Sequence, residues 1–319
     1  MSHTALRVAV LMGGTSAERP VSLKSGRAVV EGLRQAGYDA LPRDVKSEGL
    51  ETLSDIRPDV AFIALHGAFG EDGTAQAILE DMRIPYTGSG PDASRIGMDK
   101  LATKSVFVRH AVPTPDYFVV RSGCRFDRLQ RQLEEMGCPV VCKPAGGGSS
   151  LGVAIVREPA EFEQALALAW EHGETVIVER YVHGREFTVG ILDGEPLPII
   201  ELQPDREFFD YEAKYADEKT QYIVPVSLLP TLYRTASDAA LRAYRAIGCR
   251  HMARVDLIYG YDGTLNVLEV NTIPGFTPRS LLPMAAAQAG VDFPALCDRV
   301  VDAALRDARA QTQRRRMIA

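Results

Sequence analysis

The chain has 319 residues, 46% of them hydrophobic and 24% charged, with a formal net charge of −6. That length calls for two or three subdomains, the acidic balance argues against a nonspecific nucleic-acid binder, and no apolar run reaches the ~18 to 20 residues of a membrane helix. Five cysteines (Cys124, Cys138, Cys142, Cys249 and Cys297) lack metal-ligand spacing, and with no signal peptide they predict reduced thiols in a cytoplasmic protein.

Residues 7–12 form an apolar strand that runs into Gly13-Gly14-Thr15-Ser16, and a helix over 20–36 follows and ends at Gly37. The continuous apolar run Val60 to Leu65 suits a sheet buried on both faces and ends at His66-Gly67. Strand–helix alternation up to Pro85 predicts a parallel α/β unit. In such sheets ligands sit beyond the carboxyl ends of the strands, where both Glu18 and His66 fall. A Gly/Ser/Pro link, Thr87 to Pro91, leads to a helix over 99–110 carrying Lys100 and Lys104. A strand at 138–143 ends in Lys143-Pro144 and opens into the glycine-rich run 145–152. A further strand, Thr175 to Arg180, leads into Tyr181-Val182-His183-Gly184. Residues 203–224 show no clear period and read as a long loop, a helix spans 230–248, and the basic end at Arg314 to Arg316 reads as a frayed terminus.

Two segments carry chemistry. The first is the pair of strands around Asp262-Gly263, a two-residue hairpin signal in which both turn positions want φ > 0. Centring the turn there sets Asp256 opposite Glu269 and Arg254 opposite Asn271, all on one face by the period of two. Val255, Leu257, Leu268 and Val270 then occupy the other face. Two carboxylates and an amide oxygen, without His or Cys, make a hard-cation site suited to Mg²⁺ bridging to phosphates. A solvated polar face is the plain alternative, but the guanidinium among the acids and the Pro-Gly turn that follows favour the metal–nucleotide reading. The second segment is the run after Lys143. Successive glycines let backbone approach a phosphate, and Ser149 and Ser150 add hydroxyl donors. It lacks the Gly-Lys-Ser/Thr of a Walker loop, and Gly13-Gly14 lacks the full dinucleotide fingerprint.

These segments resemble the D-alanine–D-alanine ligase family of ATP-grasp enzymes. The resemblance spans essentially the whole chain, through 13–23, 65–73, 98–104, 143–153, 178–192, 211–222, 254–258 and 269–283. It implies an α/β fold of three parts. An N-terminal parallel α/β domain (1–96) would precede two α+β subdomains (97–181 and 182–319), which sandwich ATP between antiparallel sheets. A mobile loop at 203–224 would close over the site.

The resemblance also implies roles residue by residue. Lys100 and Lys143 contact ATP phosphates, with Ser150 beside them. Glu179, Tyr181 and Val182 edge the adenine, Glu186 takes the ribose hydroxyls, and Leu268 is a further ATP contact. Lys214, on the mobile loop, reaches the γ-phosphate. Asp256, Glu269 and Asn271 hold two Mg²⁺ (or Mn²⁺). Glu18 binds the ammonium of the first D-alanine, with His66 near it. Arg254 and the Gly275 N–H form an oxyanion site, and Ser280 and Leu281 hold the second carboxylate. Ser149 and Tyr215 bond Glu18 and clamp the loops. Arg180 stands where lysine is common and Arg279 where histidine is frequent.

The implied reaction is ATP-dependent joining of two D-alanines through a D-alanyl phosphate, for peptidoglycan precursors. It would run in the cytoplasm, in a homodimer, without membrane or nucleic-acid partners. The nearest alternative is a D-alanine–D-lactate ligase of the same fold, against which Lys214-Tyr215 speaks. A non-catalytic nucleotide-binding module is disfavoured by the retained Asp256, Glu269 and Asn271. A glutathione-synthetase-like enzyme is disfavoured by segments 16–23 and 66–73.

Overall fold

The computed structural model of the chain describes residues 6–47, 49–50, 53–124, 126–147, 151–203 and 220–318. Three sheets organise it. The first is parallel, in the order β2-β1-β3, built from β1 (Arg7–Gly13), β2 (Asp39–Val45) and β3 (Val60–Ile63). Alternation along β1 sends Val8, Val10 and Met12 to one face and Ala9 and Leu11 to the other, and both faces are covered. Helix α1 (Arg19–Gln35) packs on the first face, and α2 (Leu53–Ile56) and α3 (Thr74–Asp81) on the second. A continuous apolar strand needs this double cover.

The segment expected as one helix over 99–110 is preceded by α4 (Pro91–Met98) and forms α5 (Lys100–Arg109). Asp99 separates the two, and its carboxylate accepts the N–H groups of Leu101 and Ala102 as an N-cap. The second sheet is antiparallel, in the order β4-β7-β5-β6, from β4 (Tyr117–Arg121), β5 (Val140–Pro144), β6 (Ala154–Val156) and β7 (Thr175–Arg180). Val140, Cys142, Val176 and Val178 face α6 (Phe126–Met136) and α7 (Phe162–Trp170). Period two therefore turns Lys143 and Glu179 to the opposite face.

The third sheet runs β11-β10-β8-β12-β13, with β9 (Glu195–Pro196) paired to β8, and it is antiparallel throughout. Its path strands are β8 (Gly184–Leu192), β10 (Ile200–Gln203), β11 (Gln221–Ile223), β12 (Met252–Gly260) and β13 (Leu265–Asn271). One face, with Phe187, Val189, Val255 and Leu257, packs on α8 (Pro230–Ile247). That helix offers Ala236, Ala239, Ala240 and Ala243 at helical spacing, small enough for close approach. The chain ends in α9 (Leu281–Gln288) and α10 (Phe293–Ile318). Leu296, Cys297, Val300 and Val301 of α10 return to the core of the first sheet. Among the described residues no helix is long and apolar enough to cross a membrane.

Three expectations change. Residues 221–223, expected in a loop, pair with 201–203 as strand, and Tyr222 and Leu281 pack against Leu202. Residues 204–219, including Lys214 and Tyr215, lie outside the described residues. The hairpin turn is not a two-residue one. Tyr259 pairs with Leu265, Gly260 N–H bonds Thr264 O, and within the turn only Gly263 has positive φ (84°). That is the three-residue turn with its last residue left-handed. The register shift it brings is cancelled by a bulge between Asp256 and Leu257, so Asp256 still faces Glu269 and Arg254 faces Asn271. The bulge also overturns the placing of Leu268 in the core wall: Val267 takes that place and Leu268 is left half-buried.

Burial pushes the thiols of Cys142, Cys249 and Cys297 up to about 12. A raised folded value contributes stability below the ordinary 9.0 that is lost as the pH climbs towards 12. The melting temperature should fall above pH 9 for this reason. In the native protein exposed Cys124 should react first with a thiol reagent, and these three should react only on unfolding. Mass spectrometry of partially labelled protein checks this, and equal rates at all five would contradict the packing.

Candidate active site

Backbone geometry gathers the expected groups from separate elements. A cleft of about 380 Å³ is lined by Glu18 and His66 at the first sheet and by Lys100 on α5. Arg254, Glu269 and Asn271 line it from the third sheet, and Gly275, Ser280 and Leu281 from the following turn and α9. Lys143, Glu179, Tyr181, Val182, Glu186, Asp256 and Leu268 are not part of that lining. Ser149 and Ser150, like Lys214 and Tyr215, lie outside the described residues.

On the first sheet the loops after β1 and β3 meet. Ser16 Oγ donates to His66 O at 2.7 Å and accepts the Glu18 N–H at 3.2 Å. Gly67 takes φ 74°, a left-handed conformation that favours glycine, and a Cβ there would lie 2.9 Å from Ser16 Cβ and 2.8 Å from Glu18 Oε2. His66 is buried. Its Nε2 lies 3.2 Å from Ser25 Oγ, and its Nδ1 lies 3.8 Å from Glu71 Oε1. Ser25 Oγ also accepts the Phe276 N–H at 3.3 Å. One hydroxyl thus ties the histidine to the residue after Gly275.

On the third sheet one face carries the polar row. Arg254 Nε and Nη2 donate to the two oxygens of Asp256 at 2.9 and 2.7 Å, a bidentate fork. Thr188, opposite Asp256 on β8, donates to Asp256 Oδ1 at 2.6 Å. Asn271 Oδ1 accepts the Ile273 N–H at 3.0 Å and keeps a second lone pair. Glu186 is opposite Ile258, two residues beyond Asp256, and so shares this face. The set is oxygen-only and partly preoriented, which fits a hard divalent cation. Asp256 joins the cleft through Arg254. Ser280 precedes α9, where its Oγ accepts the Thr277 N–H at 3.1 Å, leaving the first N–H groups of α9 at the cleft.

On the second sheet Lys143 Nζ and Lys104 Nζ each lie 2.7 Å from Glu179 Oε1. Lys100 donates to Gly147 O at 2.6 Å, pinning α5 to the glycine-rich turn. Tyr181, His183 and Tyr261 form a ring column at 6.4 and 4.9 Å beside Val182. Arg180 points away, donating to Met136 O at 2.9 Å.

The comparisons with known proteins agree along the chain. A family model described as D-ala D-ala ligase C-terminus matches residues 106–302, and one described as D-ala D-ala ligase N-terminus matches 49–89. The D-alanine–D-alanine ligase of Syntrophotalea carbinolica is 45% identical over 92% of this chain and 95% of its own. The enzyme of that name from Anaeromyxobacter sp. strain K is 48% identical over 94% and 97%. The chain belongs to the D-alanine–D-alanine ligase family. The crystal structure of the D-alanine–D-alanine ligase from Bacillus anthracis complexed with ATP overlays with a TM-score of 0.85. It is 35% identical and covers 96% of this chain and 100% of that one. The three-sheet arrangement is therefore the ATP-grasp fold.

Within this family frame, sequence reasoning passed over Ser25, Glu71, Asp72, Lys104 and Thr188. All but Ser25 lie inside the quoted segments, but only their partners reveal their use. Asp72 is one such case. Burial would raise its pKa, but N–H bonds from Phe69 and Thr74, both 2.9 Å, hold it below 3.8. Its contribution to stability is present above 3.8 and lost as the pH falls through the lower folded value. Asp72→Ala should cost about 1–2 kcal/mol in denaturant melts. By loosening the loop that holds His66 and Glu71, it should raise the KM for the amino-acid substrate more than the KM for ATP. Equal effects on both would contradict this local role.

Proposed function

We propose that the chain joins two D-alanines into D-alanyl-D-alanine at the expense of ATP, through a D-alanyl phosphate, for peptidoglycan precursor synthesis. The observation that carries this reading is the single cleft that joins the Glu18–His66 pocket to the Arg254, Glu269 and Asn271 face and the Gly275–Leu281 turn.

In the first step a carboxylate oxygen of the first D-alanine attacks the γ-phosphorus and ADP leaves. Glu18 holds the ammonium of that molecule, with His66 beside it. Lys100 and Lys143 hold phosphate oxygens, Glu186 takes the ribose, and Glu179, Tyr181, Val182 and Leu268 border the base. Bound to Asp256, Glu269 and Asn271, Mg²⁺ or Mn²⁺ would neutralise phosphate charge. In the second step the amine of another D-alanine attacks the acyl carbon and phosphate leaves. Arg254 and the Gly275 N–H face the oxyanion, and each such donor is worth roughly 10²–10³ in rate. Asp256 fixes the plane of the guanidinium before substrate arrives. The carboxylate of the second molecule suits Ser280 and the N–H groups that open α9, an anion-favouring helix end. Ser149, Ser150, Lys214 and Tyr215 complete the site in this reading. We place the domain limits at residues 96 and 181 and the working form as a cytoplasmic homodimer.

Phosphate release with ATP and Mg²⁺ tests the reaction. D-alanine should support it with one dipeptide per phosphate, L-alanine should not, and adding D-lactate should yield no dominant depsipeptide. Silence with D-alanine would refute the ligase reading. Glu269→Gln removes an anionic ligand at constant shape. Turnover should fall by about 100-fold or more at saturating Mg²⁺, while the melting temperature moves little. Near-wild-type activity would end the metal assignment.

A further inference from the structure

Two ammonium groups converge on one carboxylate oxygen, and they are not equivalent. Lys104 is 1% exposed. Besides its 2.7 Å ion-pair contact with Glu179 Oε1, its Nζ donates to Thr114 Oγ1 at 2.7 Å and Pro115 O at 3.4 Å, and it lies 5.0 Å from the centre of the Tyr117 ring. All of these contacts lie inside the protein. Lys143 is 11% exposed and sits at the end of β5, where the chain enters the glycine-rich turn.

The charge count decides what this arrangement does. Glu179 supplies one negative charge and the lysines two positive charges, so these three buried groups carry a net +1; Asp116 nearby is 79% exposed and its charge is screened by solvent. Lys104 is sealed in, and the surplus is offered at Lys143. We propose that Lys104 is a positioning residue that occupies Glu179, so that Lys143 presents an uncompensated positive charge to the phosphates of the nucleotide. This rests on the nucleotide reading of the site. Without Lys104, Lys143 and Glu179 form a neutral pair, and a phosphate arriving there meets a dipole rather than a cation.

The surroundings of Lys104 agree. Burial and the neighbouring Lys143 lower its pKa, Glu179 and Asp116 raise it, and the result is about 8. The charged or titratable groups around it are Glu179 on β7, Lys143 on β5, and Asp116 and Tyr117 at the start of β4. Held charged in the interior, Lys104 carries a desolvation cost that Glu179 offsets.

Binding of ADP and of adenosine to the full-length protein at fixed Mg²⁺ separates phosphate from base recognition. Lys104→Met should weaken ADP about tenfold at pH 7.5 and leave adenosine within about twofold. Lys104→Arg should keep most of the preference for ADP. In the wild type that preference should decline from about pH 7.5 to 9.5 as Lys104 loses its proton, whereas Lys104→Met should be flat. The wild-type titration alone decides if the variant does not fold. An ADP preference that is undiminished in Lys104→Met, or independent of pH in the wild type, overturns the proposal. A wild type that binds neither ligand overturns the nucleotide reading beneath it.

Discussion

Side-chain alternation across β8, β12 and β13 lets one sheet serve as a core wall and a reaction surface at once, and the rest of the site depends on it. Phe187, Val189, Val255, Leu257, Val267 and Val270 close against α8. Their neighbours Thr188, Arg254, Asp256, Glu269 and Asn271 must then point the other way. A slip of one residue would bury the acids and expose the valines. The turn itself introduces such a slip, because it spends three residues where two would keep register. The bulge opposite Asp256 takes it back. Below the bulge the strands are set by the turn, and above it by the chemistry.

The polar row is ordered by its own charges. Arg254 clasps Asp256 with two N–H groups, and Thr188 takes the carboxylate from the neighbouring strand. On the opposite face of the sheet Arg185 clasps Glu201 in the same bidentate way, both contacts at 2.7 Å, and lies 5.1 Å from the centre of the Phe187 ring. The second fork fastens β8 to β10, so the strand that supports Asp256 is gripped from both faces. Such pairs add little net stability, but they fix geometry. In the first sheet the same economy appears with neutral groups, where Ser25 serves His66 and the Phe276 N–H together.

Much of this was legible in the residues. The apolar runs at 7–12 and 60–65 announced a sheet covered on both sides, and the pairing of Asp256 with Glu269 followed from the position of Asp262-Gly263. That pairing was right although the turn type was wrong, since turn and bulge cancel. Leu268 shows what pattern alone misses: a single inserted residue moved it out of the core wall, and no local signal marks a bulge. Strand β11 was hidden because Gln221-Tyr222-Ile223 is short and its stability comes from pairing with 201–203. Lys104 was placed on the helix over 99–110 without a role of its own, because its partners, Glu179 and Thr114, are distant or unremarkable in sequence. Burial of a charge is a tertiary fact, and period and composition do not encode it.

The last helix of the chain completes the first sheet. Leu296, Cys297, Val300, Val301 and Ala304 pack with Val8, Val10 and Phe62, the Tyr38 hydroxyl donates to Asp298 at 2.7 Å, and His251 meets Asp307 at 3.0 Å. A ribosome making this protein therefore releases the opening strands long before the surface that covers one of their faces exists. Until α10 emerges, that face has α1 and, later, Phe276, Leu282, Ala285 and Ala286 against it, but lacks the apolar stripe of the last helix. The N-terminal part reaches its full packing only after α10 has been made. A chain cut short before residue 293 would keep the described cleft lining and yet strip its oldest strands of the part of their cover that α10 supplies.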